Sequence, residues 1–147
     1  MQNIEIYTDG ACSGNPGKGG WGAVILIDGR EERLSGAELL TTNNRMELSA
    51  ALFALEKLQK KGIAKGTAMQ LTSDSQYLKN GITTWIQSWK KNGWKTANKQ
   101  PVKNKDLWEA LDALNAFFSI EWKWVKGHAG HHYNEICDEL ARKAMDG

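Results

Sequence analysis

Short runs of β-branched and aromatic residues open the chain and are separated by glycine-rich or Asp-Gly breaks. Residues 4–9 predict a strand that ends in a carboxylate, because the glycine-rich residues 10–17 that follow are typical of a turn. Residues 21–27 and 30–40 predict two more strands, and the Asp28-Gly29 pair between them is typical of a type I′ hairpin. We therefore expect the first three strands to form an antiparallel meander.

Helical and strand-like segments alternate through the rest of the chain. In order, the pattern predicts a helix from residues 41–44 to about Lys61, a strand over 69–73 leading into Asp74, a short helix over 76–80 broken by Gly81, a helix containing 85–91, a helix capped by Asn104, a strand over 119–125 and a final helix from about Asn134. This order predicts an α/β fold: a five-stranded mixed sheet, with its last two strands parallel to the first, flanked by helices.

Composition narrows the class of protein. The chain has 147 residues, of which 41% are hydrophobic and 24% charged, as in one globular domain spanning residues 1–147. No apolar run approaches the length of a membrane span, and Met1-Gln2-Asn3 does not begin like a secretory signal. Cys12 and Cys137 have no metal-type spacing, which favours reduced thiols. We expect a cytoplasmic monomer without membrane association.

Charge is distributed unevenly along the chain. The segment from Lys79 to Lys105 contains seven lysines and no Asp or Glu, whereas the remaining residues carry 12 basic and 17 acidic side chains, a net charge of −5. Lysines without counter-charges repel one another, so a polyanionic partner is the expected reason for them. We predict a basic protrusion at about residues 82–103.

Four acids are candidates for chemistry. Asp9 and Asp74 each follow a predicted strand, and parallel neighbours would bring both to the carboxyl edge of the sheet, where α/β sheets bind ligands. Glu47 and Asp138 lie in helices that could face the same edge. Each acid also has a structural interpretation: a turn residue for Asp9, a helix cap for Asp74, a capping box for Glu47 and a solvated helix position for Asp138. If the four converge, their repulsion calls for divalent cations, and a pair of ions is a known clamp for phosphodiester cleavage.

Motifs around these acids resemble a known family. They are Tyr7-Thr8-Asp9-Gly10, Gly14-Asn15-Pro16-Gly17, Thr42-Asn43-Asn44-Arg45-Met46-Glu47-Leu48, Thr72-Ser73-Asp74-Ser75-Gln76-Tyr77, Trp124-Val125-Lys126-Gly127-His128-Ala129-Gly130-His131, Asn134-Glu135 and Cys137-Asp138-Glu139-Leu140-Ala141. In this order they resemble ribonuclease H type 1 of the bacterial kind, from about Ile4 to Ala144. His132-Tyr133 is a departure, since Pro-Glu is frequent there in the bacterial enzymes.

The resemblance implies a ribonuclease H-like sheet and an endoribonuclease that cuts the RNA strand of RNA–DNA hybrids, leaving 5′-phosphate and 3′-hydroxyl ends. It implies that Asp9, Glu47, Asp74 and Asp138 bind two Mg²⁺ ions in the presence of substrate, with Mn²⁺ as a substitute. His128, in a glycine-flanked loop, would move protons or loosen product; without the resemblance, a surface histidine is the plainer interpretation.

Substrate contacts are expected on both sides of the acids. The polar residues near the RNA strand are Cys12, Asn15, Thr42, Asn43, Asn44 and Gln76, and a 2′-hydroxyl is the group they would have to detect. The DNA strand would lie along the basic protrusion, contacting Trp85, Lys90, Lys91 and Lys95. Turn and cap chemistry for the asparagines, an inert small residue for Cys12 and a satellite core for the tryptophans remain as structural alternatives.

Two other classes of function share these features. A different two-metal nuclease, resolvase or transposase is compatible with the fold, although its members usually lack a Trp/Lys arm beside a Gly-His-Ala-Gly loop. A non-catalytic hybrid-binding module is expected to have lost at least one acid, and this sequence retains all four.

Overall fold

The computed structural model describes residues 3–126 and 132–147. Its sheet has the strand order β3-β2-β1-β4-β5, and the strands are β1 (Ile4–Gly14), β2 (Gly17–Ile27), β3 (Arg30–Thr41), β4 (Ala68–Ser73) and β5 (Ser119–Trp124). The pairs β1–β2 and β2–β3 are antiparallel, whereas β1–β4 and β4–β5 are parallel. The predicted five-stranded mixed sheet is confirmed. Asp28 and Gly29 both have positive φ angles, of 50° and 85°, as a type I′ turn requires.

The first strand is longer than the sequence predicts. Residues 10–14 are not a turn: β1 continues to Gly14, pairs with β2 along its whole length, and leaves only Asn15 and Pro16 as the connection. Cross-strand hydrogen bonds support the backbone here despite the weak strand propensity of glycine. Asp9 therefore lies within a long hairpin rather than at its tip.

Five helices complete the described fold: α1 (Asn43–Lys60), α2 (Gln76–Asn80), α3 (Ile86–Lys91), α4 (Lys105–Phe117) and α5 (His132–Asp146). A π-helical turn, Gly81–Trp85, joins α2 to α3, so the predicted break at Gly81 is wrong. Gly81 has helical φ and ψ angles of −64° and −51°. Its role is spatial, because a Cβ at this position would overlap the Trp108 ring.

The two faces of the sheet are packed differently. One face contacts α1, with α4 behind it, around a large core that includes Ile6, Ile25, Leu55, Leu71 and Leu111. The other face holds α5 against β1, β2 and β3, over a small cluster of Val24, Leu26 and Cys137. None of the helices in the described ranges has the length and apolar character needed to cross a membrane. Both helical layers therefore reach β1, the strand that carries Asp9.

Candidate active site

Strand register brings Asp9 and Asp74 together. The parallel pairing of β1 with β4 ends at Tyr7 and Thr72, and each aspartate lies two residues beyond that last pair. Asp9 is buried and Asp74 half-buried. The turn and cap alternatives do not hold, because Asp9 is a strand residue and the cap of α2 is Ser75, whose Oγ accepts from the Leu78 N–H at 3.1 Å. Both acids therefore lie just past the last parallel pair of β1 and β4, at the carboxyl edge of the parallel part of the sheet, where a ligand site is expected.

Glycine at position 10 lets α1 approach the sheet. A Cβ on Gly10 would lie 2.6 Å from the backbone nitrogen of Glu47 and 2.7 Å from the carbonyl carbon of Met46, which leaves no room for a side chain. The capping-box interpretation of Glu47 is also wrong, since the N-cap is Thr42, whose side chain accepts from the Arg45 N–H. The carboxylate of Glu47 is consequently held beside Asp9.

The three carboxylates form one cluster. Oxygen atoms of Asp9, Glu47 and Asp74 all lie within 4.8 Å of one another. Burial, and then the nearby charges of Asp9 and Asp74, raise the pKa of Glu47 well above its ordinary value. Glu47 also hydrogen-bonds the side chain of Asp9. In the absence of a cation, these surroundings favour the protonated form of Glu47. A bound cation would favour the ionised form.

A hard cation fits this donor set. Carboxylate oxygens are the ligands that Mg²⁺, Mn²⁺ and Ca²⁺ prefer. Glu47 Oε1 is buried and has no hydrogen-bond partner among the described residues, so one strong acceptor is left unsatisfied inside the cluster. A divalent cation would satisfy this oxygen and neutralise the repulsion between the three acids.

Asp138 lies near this cluster but outside it. Its carboxylate is half-buried and pairs with Arg142 at 2.6 Å one helical turn away. The helix that carries it approaches β2 closely at Gly22, the strand partner of Asp9, where a Cβ would lie 2.5 Å from the Cys137 carbonyl oxygen. The structure thus brings the backbone beside Asp138 to the strand position opposite Asp9, while the Asp138 side chain is directed to Arg142.

The polar residues predicted to face the RNA strand lie around the β1–β2 turn and the start of α1. Asn15 Oδ1 accepts from the Asn43 N–H at 3.1 Å, and the Cys12 thiol faces the carbonyl oxygens of Gly17 and Thr41. Thr42 is the helix cap, and Asn43, Asn44 and Gln76 are exposed in the first turns of α1 and α2. Their contact with the RNA strand stays a prediction.

The segment predicted to be basic is built on aromatic side chains. Trp85, Trp89 and Trp94 form a chain of rings, with centroid separations of 5.8 and 6.1 Å, and Trp89 also contacts Trp108 at 5.6 Å. A satellite core is therefore present, and half-buried Trp85 belongs to it. Lys91 and Lys95 are exposed, whereas Lys90 forms an ion pair with Asp112 at 3.1 Å. The expectation that these lysines lack counter-charges is wrong for Lys90.

Sequence reasoning missed the residues that join these parts. Gly10 and Gly22 set how closely the helices approach, and Arg45 and Tyr77 connect the elements around the cluster. Gly10 follows Asp9 in the chain, and Gly22 pairs with Asp9 across the hairpin. Had residues 10–14 been interpreted as strand, this pairing would have pointed to both glycines. The predicted catalytic residue His128 lies outside the described residues.

The fold and the acidic cluster define a protein of the ribonuclease H-like class, and comparison with known proteins agrees. The sequence profile of the family described as RNase H matches residues 1–146. Ribonuclease H of Hydrogenovibrio crunogenus is 58% identical over 146 residues, covering 99% of this chain and 97% of the relative. Ribonuclease H of Nitrosococcus oceani is 59% identical over 142 residues, covering 97% and 93%. The chain belongs to the RNase H family.

Solved structures agree with this assignment. LC9-RNase H1, a type 1 RNase H with the type 2 active-site motif, superposes with a TM-score of 0.85 at 32% identity, over 98% of this chain and 72% of that one. LC11-RNase H1, in complex with an RNA/DNA hybrid, gives a TM-score of 0.70 at 27% identity, over 98% and 97%.

Proposed function

We propose that this protein is an endoribonuclease that hydrolyses the RNA strand of RNA–DNA hybrids and leaves 5′-phosphate and 3′-hydroxyl ends. The observation that carries the proposal is the cluster of Asp9, Glu47 and Asp74, with oxygens within 4.8 Å, on the scaffold of the RNase H family. The hybrid-bound structure of LC11-RNase H1 supports the choice of substrate.

We propose that Asp9, Glu47, Asp74 and Asp138 hold two Mg²⁺ ions when substrate is present, with Mn²⁺ as a substitute. Such a pair would supply an activated water and stabilise the departing 3′ oxygen. For this role Glu47 has to release the proton that its surroundings favour, so metal affinity should rise with pH. For Asp138 to join them, its carboxylate has to leave the ion pair with Arg142.

Substrate recognition is proposed to divide between two surfaces. Cys12, Asn15, Thr42, Asn43, Asn44 and Gln76 would face the RNA strand, where polar atoms can detect a 2′-hydroxyl. The basic protrusion at about residues 82–103 would face the DNA strand through Trp85 and its lysines. Among these, Lys91 and Lys95 are better placed than Lys90 for phosphate contacts, because the partner of Lys90 is Asp112.

Three further assignments belong to this proposal. His128 is proposed to move protons or loosen product, which a histidine can do near neutral pH. Both cysteines are free thiols, which fits a reducing compartment such as the cytoplasm. We also propose that the protein acts as a monomer.

A cleavage assay on matched duplexes tests the function. RNA–DNA hybrid, duplex RNA and duplex DNA of one sequence are incubated with the protein, with and without Mg²⁺, and the products are resolved by length and end chemistry. We expect cleavage of the hybrid's RNA strand alone, only with metal, leaving 5′-phosphate ends. Equal cleavage of duplex DNA would instead favour another two-metal nuclease, and binding without cleavage would favour a hybrid-binding module.

A further inference from the structure

Arg45 is the residue through which the start of α1 contacts the base of the basic protrusion. Its guanidinium donates two hydrogen bonds to the Asp106 carboxylate, at 2.9 and 3.2 Å, and a third to Asn104 Oδ1 at 3.3 Å. On the other side it lies 3.6 Å from Glu38 of β3. A planar guanidinium with two-pronged geometry fixes orientation as well as distance between the groups it joins.

The contact continues into α2. Asn104 adopts a left-handed conformation, with φ 59°, and makes no side-chain cap to α4, contrary to the sequence prediction. Its amide Nδ2 instead donates to the Tyr77 hydroxyl at 3.3 Å, and Trp108 Nε1 donates to the same oxygen at 3.2 Å. One network therefore joins the first turns of α1, α2 and α4.

Each of these three elements lies beside a surface already assigned to substrate. Asn43 and Asn44 directly precede Arg45, and Gln76 directly precedes Tyr77. Residues 82–103 end just before Asn104. The network thus sits where the proposed RNA-facing rim meets the proposed DNA-facing protrusion.

We propose that Arg45 and Asp106 are positioning residues that set the spacing between the two strand-binding surfaces. The inference rests on the proposed hybrid-cleaving function and adds to it a determinant of substrate affinity. Arg45 directly follows the proposed RNA-facing asparagines, and Asp106 lies in the first turn of α4, whose Trp108 packs against Trp89. Breaking their contact leaves both surfaces intact but lets them move relative to one another, which weakens simultaneous contact with both strands.

Asp106 offers a test in which electrostatics and positioning predict opposite results. Removing an acid beside a basic surface should strengthen binding of a polyanion if charge alone matters. Removing the partner of Arg45 should weaken binding if spacing matters. Side-chain exposure of Asp106 is 64%, so its loss should change folding stability little.

Glu109 provides the matched control. It is exposed, lies three residues further along the same helix, and forms no ion pair within residues 3–126 and 132–147. Asp106→Ala and Glu109→Ala therefore remove the same charge from neighbouring positions, and only the first removes a contact to α1. For Asp106→Ala we expect the KM for hybrid to rise roughly three- to tenfold with kcat within about twofold, and for Glu109→Ala an unchanged or lower KM.

A double variant shows whether the two residues act together. If Asp106 acts through Arg45, the KM of Arg45→Gln/Asp106→Ala should lie within about twofold of that of Arg45→Gln alone. Asp106→Glu, which restores the charge, should recover most of the wild-type KM. Hybrid affinity of the metal-free variants should follow the same order.

Two results would overturn the inference. One is an Asp106→Ala KM equal to or below that of Glu109→Ala, and the other is a double variant whose KM reflects the product of the two single effects. Both results require wild-type protein that cleaves the hybrid, so neither would contradict the proposed function. Wild-type protein that fails to cut hybrids would overturn the proposed function itself, and this inference with it.

Discussion

Glu47 is a carboxylate removed from water beside two other carboxylates. Its side chain is buried, and one of its oxygens has no hydrogen-bond partner among the described residues. Burying an ionised group without compensation is costly, and the usual response is a raised pKa. Ionised Glu47 therefore destabilises the metal-free fold. Such a cost is expected of a side chain that serves to bind a cation.

Replacing Glu47 by glutamine should stabilise the metal-free protein at neutral pH. The unfolded chain releases this proton near the ordinary glutamate pKa, whereas the folded protein keeps it to higher pH. The folded state binds more protons between these two pKa values, so stability falls as pH rises through that window. Each pKa unit of difference corresponds to ~1.4 kcal/mol of unfolding free energy.

Urea unfolding in EDTA at about pH 5 and about pH 8 measures this effect. We expect Glu47→Gln to gain stability over wild type at the higher pH and to gain less at the lower pH. Glu56→Gln, which makes the same substitution on the same helix, is the control. If Glu47→Gln and Glu56→Gln change the unfolding free energy equally at both pH values, the raised pKa of Glu47 is contradicted.

At the scale of secondary structure, glycines decide how closely the helices approach β1, the strand that carries Asp9. Gly10 admits the start of α1, and Gly22 admits α5 opposite Asp9. Acids from separate elements can meet only if their backbones come close, because carboxylate side chains are short. The two glycines therefore belong to the construction of the site although they carry no chemistry.

Gly22→Ala should damage both stability and activity. Its Cβ would lie 2.5 Å from the Cys137 carbonyl oxygen and 2.7 Å from the Leu140 Cβ, so α5 must shift together with Asp138. We expect a loss of about 1–3 kcal/mol in unfolding free energy, typical of overpacking, and a lower rate of hybrid cleavage. Ser35→Ala, at the exposed β3 partner of Gly22, is the control and should leave both quantities near wild type.

The sequence predicted the type and order of the helices and strands better than their boundaries and packing contacts. Strand and helix periodicity identified all five strands and the order of the helices. Glycine misled the prediction twice, at Gly10 and Gly81, because a glycine required for close packing looks the same in sequence as one required for a turn. In the last helix, the apolar spacing of Ile136, Leu140 and Ala144 predicts the buried stripe, but Cys137 and Ala141, one position further along, are the buried residues of this row.

At the scale of the whole molecule, the basic segment from Lys79 to Lys105, which includes the proposed protrusion, contrasts with the net acidic remainder of the chain. Three tryptophans in contact, Trp85, Trp89 and Trp94, form an apolar support for this segment. The ion-pair partner of an individual lysine could not be predicted from the sequence. Lys90 and Asp112 are distant in the chain and meet only because α3 packs near α4. The position of Asp138 relative to the other acids depended on tertiary contacts in the same way.

Neutralising the protrusion should reduce the salt dependence of hybrid binding. We expect Lys91→Ala/Lys95→Ala to raise the KM with little change in the cleavage step. The slope of log affinity against log salt should become shallower by about 0.9 for each phosphate that a lysine no longer neutralises. Lys60→Ala/Lys65→Ala removes the same charge from exposed positions elsewhere and is the control. Identical slopes for the two double variants, measured without metal, would show that the protrusion does not contact the substrate.

The central claim is that the acids at the edge of the sheet carry the cleavage reaction, and Asp74→Asn tests it most directly. The measurement is the initial rate of cleavage of an RNA-strand-labelled hybrid with saturating Mg²⁺, for wild type and variant side by side. We predict that Asp74→Asn abolishes cleavage while its metal-free melting temperature holds or rises, because one of the closely spaced acidic side chains loses its charge. A rate near that of wild type in the folded variant would contradict the assignment of the site.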